Sequence, residues 1–411
     1  MNNEIAVEKS KKEPSYGEFV ALISLIMSLT ALTIDVMLPS LPQIGSDLGV
    51  KSVNDRQLVV SVLFLGLAVG QLFFGPLSDK TGRKPAIYAG YAIFIAGALI
   101  SVFALNFPIM LLGRLLQGIG ISSPRAVSLA LVRDRYAGRE MARVMSFVMT
   151  VFILVPMLAP SLGQAVLLIS GWRSIFLILI LIALITFAWF ALRMPETLVP
   201  EKRTPFKLRK IFQAIVEILK NRISLGYTIT AGLISGVFLG YLNSTQQIFQ
   251  EQYALGRLFP LYFGAISLAL GLASLTNARI VVRLGMRFLV KWSLFFIFGL
   301  SLIGLSIALL TAGKPSLWMF IAYLMMTFFC IGILFGNLNS LAMEPLGHLA
   351  GVGSAVVGSL STLISMILGT MIGRSYDGTV LPLVASIAIF GGLSILVMRW
   401  TESGQESLIS A

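Results

Sequence analysis

The chain has 411 residues, 57% of them hydrophobic and 12% charged, with a net charge of +13 and a mean hydropathy of +0.90. Soluble domains carry about a quarter charged residues, so an ordinary soluble enzyme is excluded. One cysteine and one histidine exclude a disulfide framework and a Cys/His metal cluster.

A polar segment of sixteen residues with Lys9, Lys11 and Lys12 opens the chain. The apolar stretch behind them is too long for a signal-peptide core, so it is expected to stay. Apolar runs of about twenty residues then recur, each long enough to cross a hydrocarbon core of about 30 Å. They predict spans at 17–39, 57–77, 85–105, 108–131, 144–168 and 174–193, then 223–247, 258–276, 287–310, 316–341, 351–373 and 380–399. Barrel strands of about 10 alternating residues do not fit these runs. The basic residues lie between the spans, which favours a bilayer surface over nucleic acid as their partner. With the N-terminus inside, most of the 31 basic residues fall on the inner side, and the outer side keeps Lys51, Arg56, Arg173, Arg257, Lys314 and Arg374. That bias predicts both termini in the cytoplasm.

In chain order, the first residue with chemistry is Asp35. Seventeen of the 18 acidic residues lie in loops, tails or span ends, which leaves Asp35 inside an apolar run. Between spans 2 and 3 stands GPLSDKTGRK, Gly75 to Lys84. Gly75 and Gly82 suit a tight turn, and Asp79, Arg83 and Lys84 offer charges to neighbouring helix ends. Asp79 is expected to face the start of span 11 near Gly351, where the helix dipole is positive. Span 4 contains Arg114, Gln117 and Arg125. An arginine in a span is costly and usually faces a cavity or an acid. Asp35 and Arg114 each lie about 6–9 Å below the outer ends of their spans, taken at Pro39 and Pro108, so they are expected to pair. A static ion pair that only pins two helices is the alternative. Arg114, Gly118, Ile121 and Arg125 share one helix face. If Arg114 faces the cavity, so does Arg125, unneutralised, and it would favour anionic or zwitterionic substrates. Snorkelling of Arg125 towards water is the other reading.

Span 5 holds Pro156, Pro160 and Gly163, which suit a kinked helix with close contacts. The polar segment 194–222 divides the chain into 1–193 and 223–411. Its positions Leu208, Ile211, Phe212, Ile215 and Leu219 follow helical spacing, an amphipathic helix lying on the inner leaflet or a solvated linker helix. Gly82 and Gly285, each followed two positions on by a basic residue, suggest that the halves repeat. Tyr241, Asn243, Gln246 and Gln247 in span 7, with Asn337 and Asn339 in span 10, complete the candidate cavity, although amides in spans also serve as interhelical glue.

Several of these segments resemble a known family. GPLSDKTGRK matches the hallmark loop of the major facilitator superfamily at every position. GRLLQGIG, Gly113 to Gly120, resembles its buried Arg-x-x-Gln-Gly motif, and Pro156, Pro160 and Gly163 resemble its exporter motif in part, with Gln164 in place of a glycine. TIDVMLPSLPQI, LVRDRYAGREMARVMS, GWRSIF and YDGTVLPL are together similar to the Bcr/CflA branch of drug:proton antiporters, with Leu129 where an arginine is common. The resemblance implies a fold of twelve transmembrane helices in two six-helix bundles. It also implies a latch at Gly75, Asp79, Gly82, Arg83 and Lys84 between the halves, and proton-driven efflux of bicyclomycin-like, chloramphenicol-like and related small molecules from a bacterial inner membrane.

The mechanism expected is alternating access, with Asp35 as proton carrier beside Arg114. Burial discourages the ionised form of a carboxylate and a neighbouring arginine favours it, so such a site has both levers. The proton is the coupling ion, and no other cofactor or metal, no nucleic acid and no catalytic group is expected, in a monomer. An importer or exporter of an anionic metabolite or siderophore on the same fold is the alternative. A membrane enzyme would need more titratable groups at depth, and a sensor would not need the buried charges.

Overall fold

The computed structural model describes residues 14–409, and the expectation for Lys9, Lys11 and Lys12 lies outside them. The described residues form helices and no strand, as bilayer segments must when every backbone group is bonded within its own helix. Twelve helical segments are long and apolar enough to cross a membrane. The first is built from α1 (Tyr16–Asp35) and α2 (Leu41–Asp47). The next five are α3 (Leu58–Thr81), α4 (Arg83–Val102), α5 (Phe107–Arg135), α6 (Gly138–Ile169) and α7 (Arg173–Arg193). After the linker helix α8 (Leu208–Lys220) come α9 (Arg222–Gln246), α10 (Phe259–Leu284), α11 (Met286–Leu310), α12 (Leu317–Met343), α13 (Ala350–Arg374) and α14 (Leu381–Ile409). Several helices outrun the apolar windows because a helix keeps its own hydrogen bonds when it leaves the hydrocarbon.

The helices before α8 pack as one bundle and those after it as a second, with α3 against α13 and α6 against α10 between them. Even crossing number puts Tyr16 and the end of α14 on one face, here called the terminal face. Close approach inside the first bundle depends on small residues. A β-carbon on Gly118 would sit 2.1 Å from the Leu63 carbonyl oxygen, and one on Gly66 2.2 Å from that of Leu115, so α3 and α5 touch backbone to backbone. The expected repeat is physical at the turns: Gly82 ends α3 at φ +106° and Gly285 ends α10 at φ +79°, conformations that glycine adopts without strain.

Two elements differ from expectation. Span 1 does not end at Pro39. The α-helix breaks after Asp35 and resumes through a 3-10 turn (Leu38–Ser40) into α2, so the span continues to Asp47. The linker helix is only half a leaflet helix. Ile211, Ala214 and Ile218 are buried against α9 and α13, while Leu208, Phe212 and Leu219 stay exposed. One stripe docks on the second bundle and the adjacent stripe is left for the interface.

Candidate functional site

Asp35 is the last residue of α1 and is 5% exposed. Because the span runs on to Asp47, Asp35 lies farther from its end than the sequence placed it. Its carboxylate makes no ion pair or hydrogen bond among the described residues. The expected pairing with Arg114 is therefore absent. Arg114, fully buried, donates from Nε to the Val59 carbonyl at 2.9 Å, from Nη1 to Gln117 Oε1 at 2.6 Å and from Nη2 to the Thr33 carbonyl at 3.1 Å. Arg114 does stand level with this part of α1, since Thr33 and Asp35 are near neighbours on it, but two residues are about 200° apart around a helix. Arg114 meets the Thr33 carbonyl, which lies at the broken end of α1 where the helix dipole is negative and carbonyls lose their usual partners. The arginine caps the break.

Across the bundle interface from Asp35 is Tyr241 of α9, 2% exposed and within electrostatic reach of the carboxylate. Its ring is held between Phe263, stacked at 5.9 Å, and Phe328, edge-on at 4.6 Å. Arg125 is exposed. No ion pair or hydrogen bond holds it among the described residues. Asn339 is also exposed, on the α12 face that carries Phe328 and Phe335.

The other amides predicted for the cavity are engaged elsewhere. Asn337 donates to Asn277 Oδ1 at 2.8 Å and ties α12 to α10. Gln246 donates at 2.9 Å to Gln250 in the π-helical turn (Gln247–Gln252) that continues α9. Asn243 donates to Ser61 Oγ and to the Gly369 carbonyl, both at 2.9 Å. Gln247 donates to Asn54 Oδ1 at 2.7 Å and accepts from Gln57. These last contacts cross between the bundles. With Asn54 donating to the carbonyls of Arg374 and Tyr376, and with the Arg374–Asp55 and Arg56–Glu251 pairs at 2.9 and 3.6 Å, they shut the face opposite the termini. Sequence reading missed this layer because its residues look like ordinary loop and helix-end polar groups.

On the terminal face, Arg83 binds Asp79 at 2.5 Å and Asp134 at 2.9 Å. Glu196 accepts from the amides of Arg83 and Lys84 at the start of α4, and Lys84 Nζ reaches the Ala191 and Met194 carbonyls. Arg83 and Lys84 thus stitch the first bundle to itself rather than to the second, a correction to the expected latch. They cannot span the gap while Asp134 and the end of α7 hold them. Two members do cross. Gly75 faces Ala355, and the Asp79 Oδ2 lies 3.7 Å from where a β-carbon on Gly351 would stand, at the start of α13. Gly82 leaves no room for a side chain, since a β-carbon there would sit 2.5 Å from Glu196. Asp134 and Glu196 are the partners that motif reading did not supply. We expect Asp79→Ala, which frees α13, and Gly82→Val, which displaces Glu196, to lower transport more than expression. Distance distributions between spin labels on the ends of α3 and α13 check this, and unchanged distributions would make the loop a mere connector.

Helix α6 continues through Pro156 and Pro160. Gly163 has a defined purpose: a β-carbon there would meet the Val36 carbonyl at 2.0 Å, so it lets α6 close on the break in α1. The motifs around these residues also find partners. Trp172 donates to Asp47 at 2.8 Å, and Arg173 donates to the Val102 and Ala104 carbonyls.

The sequence matches the Major Facilitator Superfamily over residues 23–370. It is 31% identical over 396 residues to the uncharacterised MFS-type transporter YdgK of Bacillus subtilis (strain 168), covering 94% of this chain and 96% of that relative. A bicyclomycin resistance protein homolog of Haemophilus influenzae is 26% identical over 94% of this chain and 96% of its own. The multidrug resistance protein MdtL of Klebsiella pneumoniae (strain 342) is 27% identical over 89% and 91%. Among solved structures, the human organic anion transporter MFSD10 superposes with a TM-score of 0.69 at 17% identity, covering 95% of this chain and all of that one. The xylose transporter XylE from E. coli gives 0.70 at 15%, covering 93% and 96%. Twelve spans in two bundles, the Gly75–Lys84 loop in its stitched geometry and a family match through most of the chain lead to one conclusion: the chain belongs to the Major Facilitator Superfamily, on its Bcr/CflA-type branch.

Proposed function

We propose that this protein exports small organic molecules by exchanging them for protons, with Asp35 as the proton carrier. The observation that carries the reading is the burial of Asp35, unpaired, where the two bundles meet. A carboxylate there is expensive to ionise without a partner, so its protonation and its exposure to either side are linked. Relatives named for bicyclomycin and multidrug resistance support efflux of drug-like compounds. No other cofactor is needed, and the transporter works as a monomer in a bacterial inner membrane. The terminal face is cytoplasmic, which makes the shut face the periplasmic one and this conformation inward-facing. Gln117 holds Arg114 in place, so Arg114 supports the break in α1 rather than accepting protons itself.

Arg125 sets the substrate class. An unpaired guanidinium in a cavity is costly, and a carboxylate-bearing substrate would satisfy it in a two-pronged contact. Asn339 supplies a further polar group on the opposing bundle. The test uses everted vesicles holding the full chain. An imposed pH gradient should drive accumulation of bicyclomycin, and its addition should dissipate the gradient. If the gradient and bicyclomycin movement are independent, the exchange reading fails. In the same vesicles, Arg125→Ala should lose most transport of a carboxylate compound, about tenfold or more for one lost charge-assisted contact, and keep that of ethidium. Equal loss of both, or loss of ethidium alone, removes the selectivity claim.

A further inference from the structure

Three polar groups gather where α9 meets the turn that follows α1, and none of them is bonded across the interface. The Asp35 carboxylate is buried and unbonded. The hydroxyls of Tyr241 and Thr245, one turn apart on α9, are buried, interact with each other and have no hydrogen-bond partner on another helix. Native interiors rarely leave such groups orphaned, because each costs about as much as a lost hydrogen bond. A buried hydroxyl with no partner across the interface, within electrostatic reach of a carboxylate that makes no hydrogen bond, suggests a contact that forms in another state of the cycle. Helix α9 already packs on the 3-10 turn that follows Asp35, and the aromatic pair Phe263 and Phe328 fixes the tyrosine ring. Closing the gap needs movement of the bundles, not rotation of the side chain.

We infer that Tyr241 is a positioning residue for proton coupling: its hydroxyl donates to the ionised Asp35 carboxylate when α9 closes on the broken end of α1, and releases it when Asp35 takes a proton. This rests on the reading of Asp35 as the proton carrier. The proton itself moves between Asp35 and water, and Tyr241 keeps its own throughout. Apart from the unpaired Arg125 of α5, which makes no bond to Asp35, the charged groups on the helices around α1 are engaged elsewhere or lie at helix ends. From α5, Arg114 is committed to Val59, Thr33 and Gln117. Helix α6 brings Gly163 to this level and keeps Arg139, Glu140 and Arg143 in its first turns at the terminal face. Helix α7 carries Arg173 and Arg193 at its two ends. The Tyr241 contact therefore links the protonation of one bundle to the position of the other.

The test is Tyr241→Phe, which keeps the ring in its aromatic slot and deletes only the hydroxyl. Two measurements on full-length protein in proteoliposomes separate the outcomes: bicyclomycin counterflow without a gradient, and pH-gradient-driven bicyclomycin transport across a pH series. Loss of a hydrogen bond to a carboxylate favours its protonated form, so the pH of half-maximal driven transport should rise by about one unit, with counterflow preserved. Tyr241→Phe added to Asp35→Asn should then change nothing further. An unchanged midpoint, or equal loss of counterflow and driven transport, overturns the inference and leaves the Asp35 reading standing. Absence of gradient-driven transport in the wild type overturns both.

Discussion

Replacing Asp35 with asparagine is expected to abolish transport driven by a pH gradient and to leave the protein folded. The carboxylate makes no hydrogen bond or ion pair among the described residues, so the substitution breaks no contact. It removes a buried, uncompensated charge whose desolvation opposes folding, and the thermal midpoint should hold or rise. An amide of the same shape cannot carry a proton. Driven accumulation of bicyclomycin in everted vesicles should fall to the level of vesicles without the protein, while gradient-free counterflow persists. Normal gradient-driven accumulation by the variant would end the carrier role. Loss of counterflow together with a lowered midpoint would mark Asp35 as structural instead.

Arg114→Leu has the opposite signature, a loss of the fold itself. Its guanidinium supplies three buried acceptors, the carbonyls of Val59 and Thr33 and the amide oxygen of Gln117. Each orphaned acceptor costs about 1–3 kcal/mol, and together they take a large part of the about 5–15 kcal/mol that holds a typical domain. We expect a low yield of folded protein and a strongly reduced thermal midpoint in detergent. Arg114→Lys, with a single donor centre in place of a planar fork, falls in between. A second substitution makes the result diagnostic. If Arg114 existed to neutralise Asp35, then Asp35→Asn would rescue Arg114→Leu. The geometry predicts no rescue, because Arg114 serves backbone carbonyls at the break in α1. A double variant as stable as wild type would restore the ion-pair picture.

The stitching of the terminal face shows how a motif can be recognised while its wiring is not. Arg83 belongs to a loop that sequence reading identified in full, yet the partner that immobilises it, Asp134, lies 51 positions away at the end of α5. A related pair appears in the second bundle, where Arg287 near the start of α11 meets Glu344 just past α12 at 2.7 Å. Val282 stands where the second-half aspartate would be and is exposed. The second bundle thus keeps an ion pair between corresponding helix ends but has no counterpart of Asp79 to reach across.

The amino-acid sequence by itself determined the twelve spans and the linker helix. Hydrocarbon admits only segments whose apolar length and internal hydrogen bonding are written locally. It also singled out Asp35, Arg114 and Arg125, because a charge inside an apolar run is visible without any partner. Tertiary structure alone decided which of these charges meet. Helical rise gives a residue its height, and height was enough to bring Arg114 level with α1. Azimuth depends on how each helix is rotated against its neighbours and on where α1 breaks, and neither is encoded in spacing. The same limit applies to the amides. Asn243, Gln247 and Asn337 are equally polar in sequence, but the packing of α3, α10 and α13 made them closures and struts, and Asn339 was left exposed. Single-helix periodicity names the candidates. The meeting of two bundles, which no local pattern records, chooses among them.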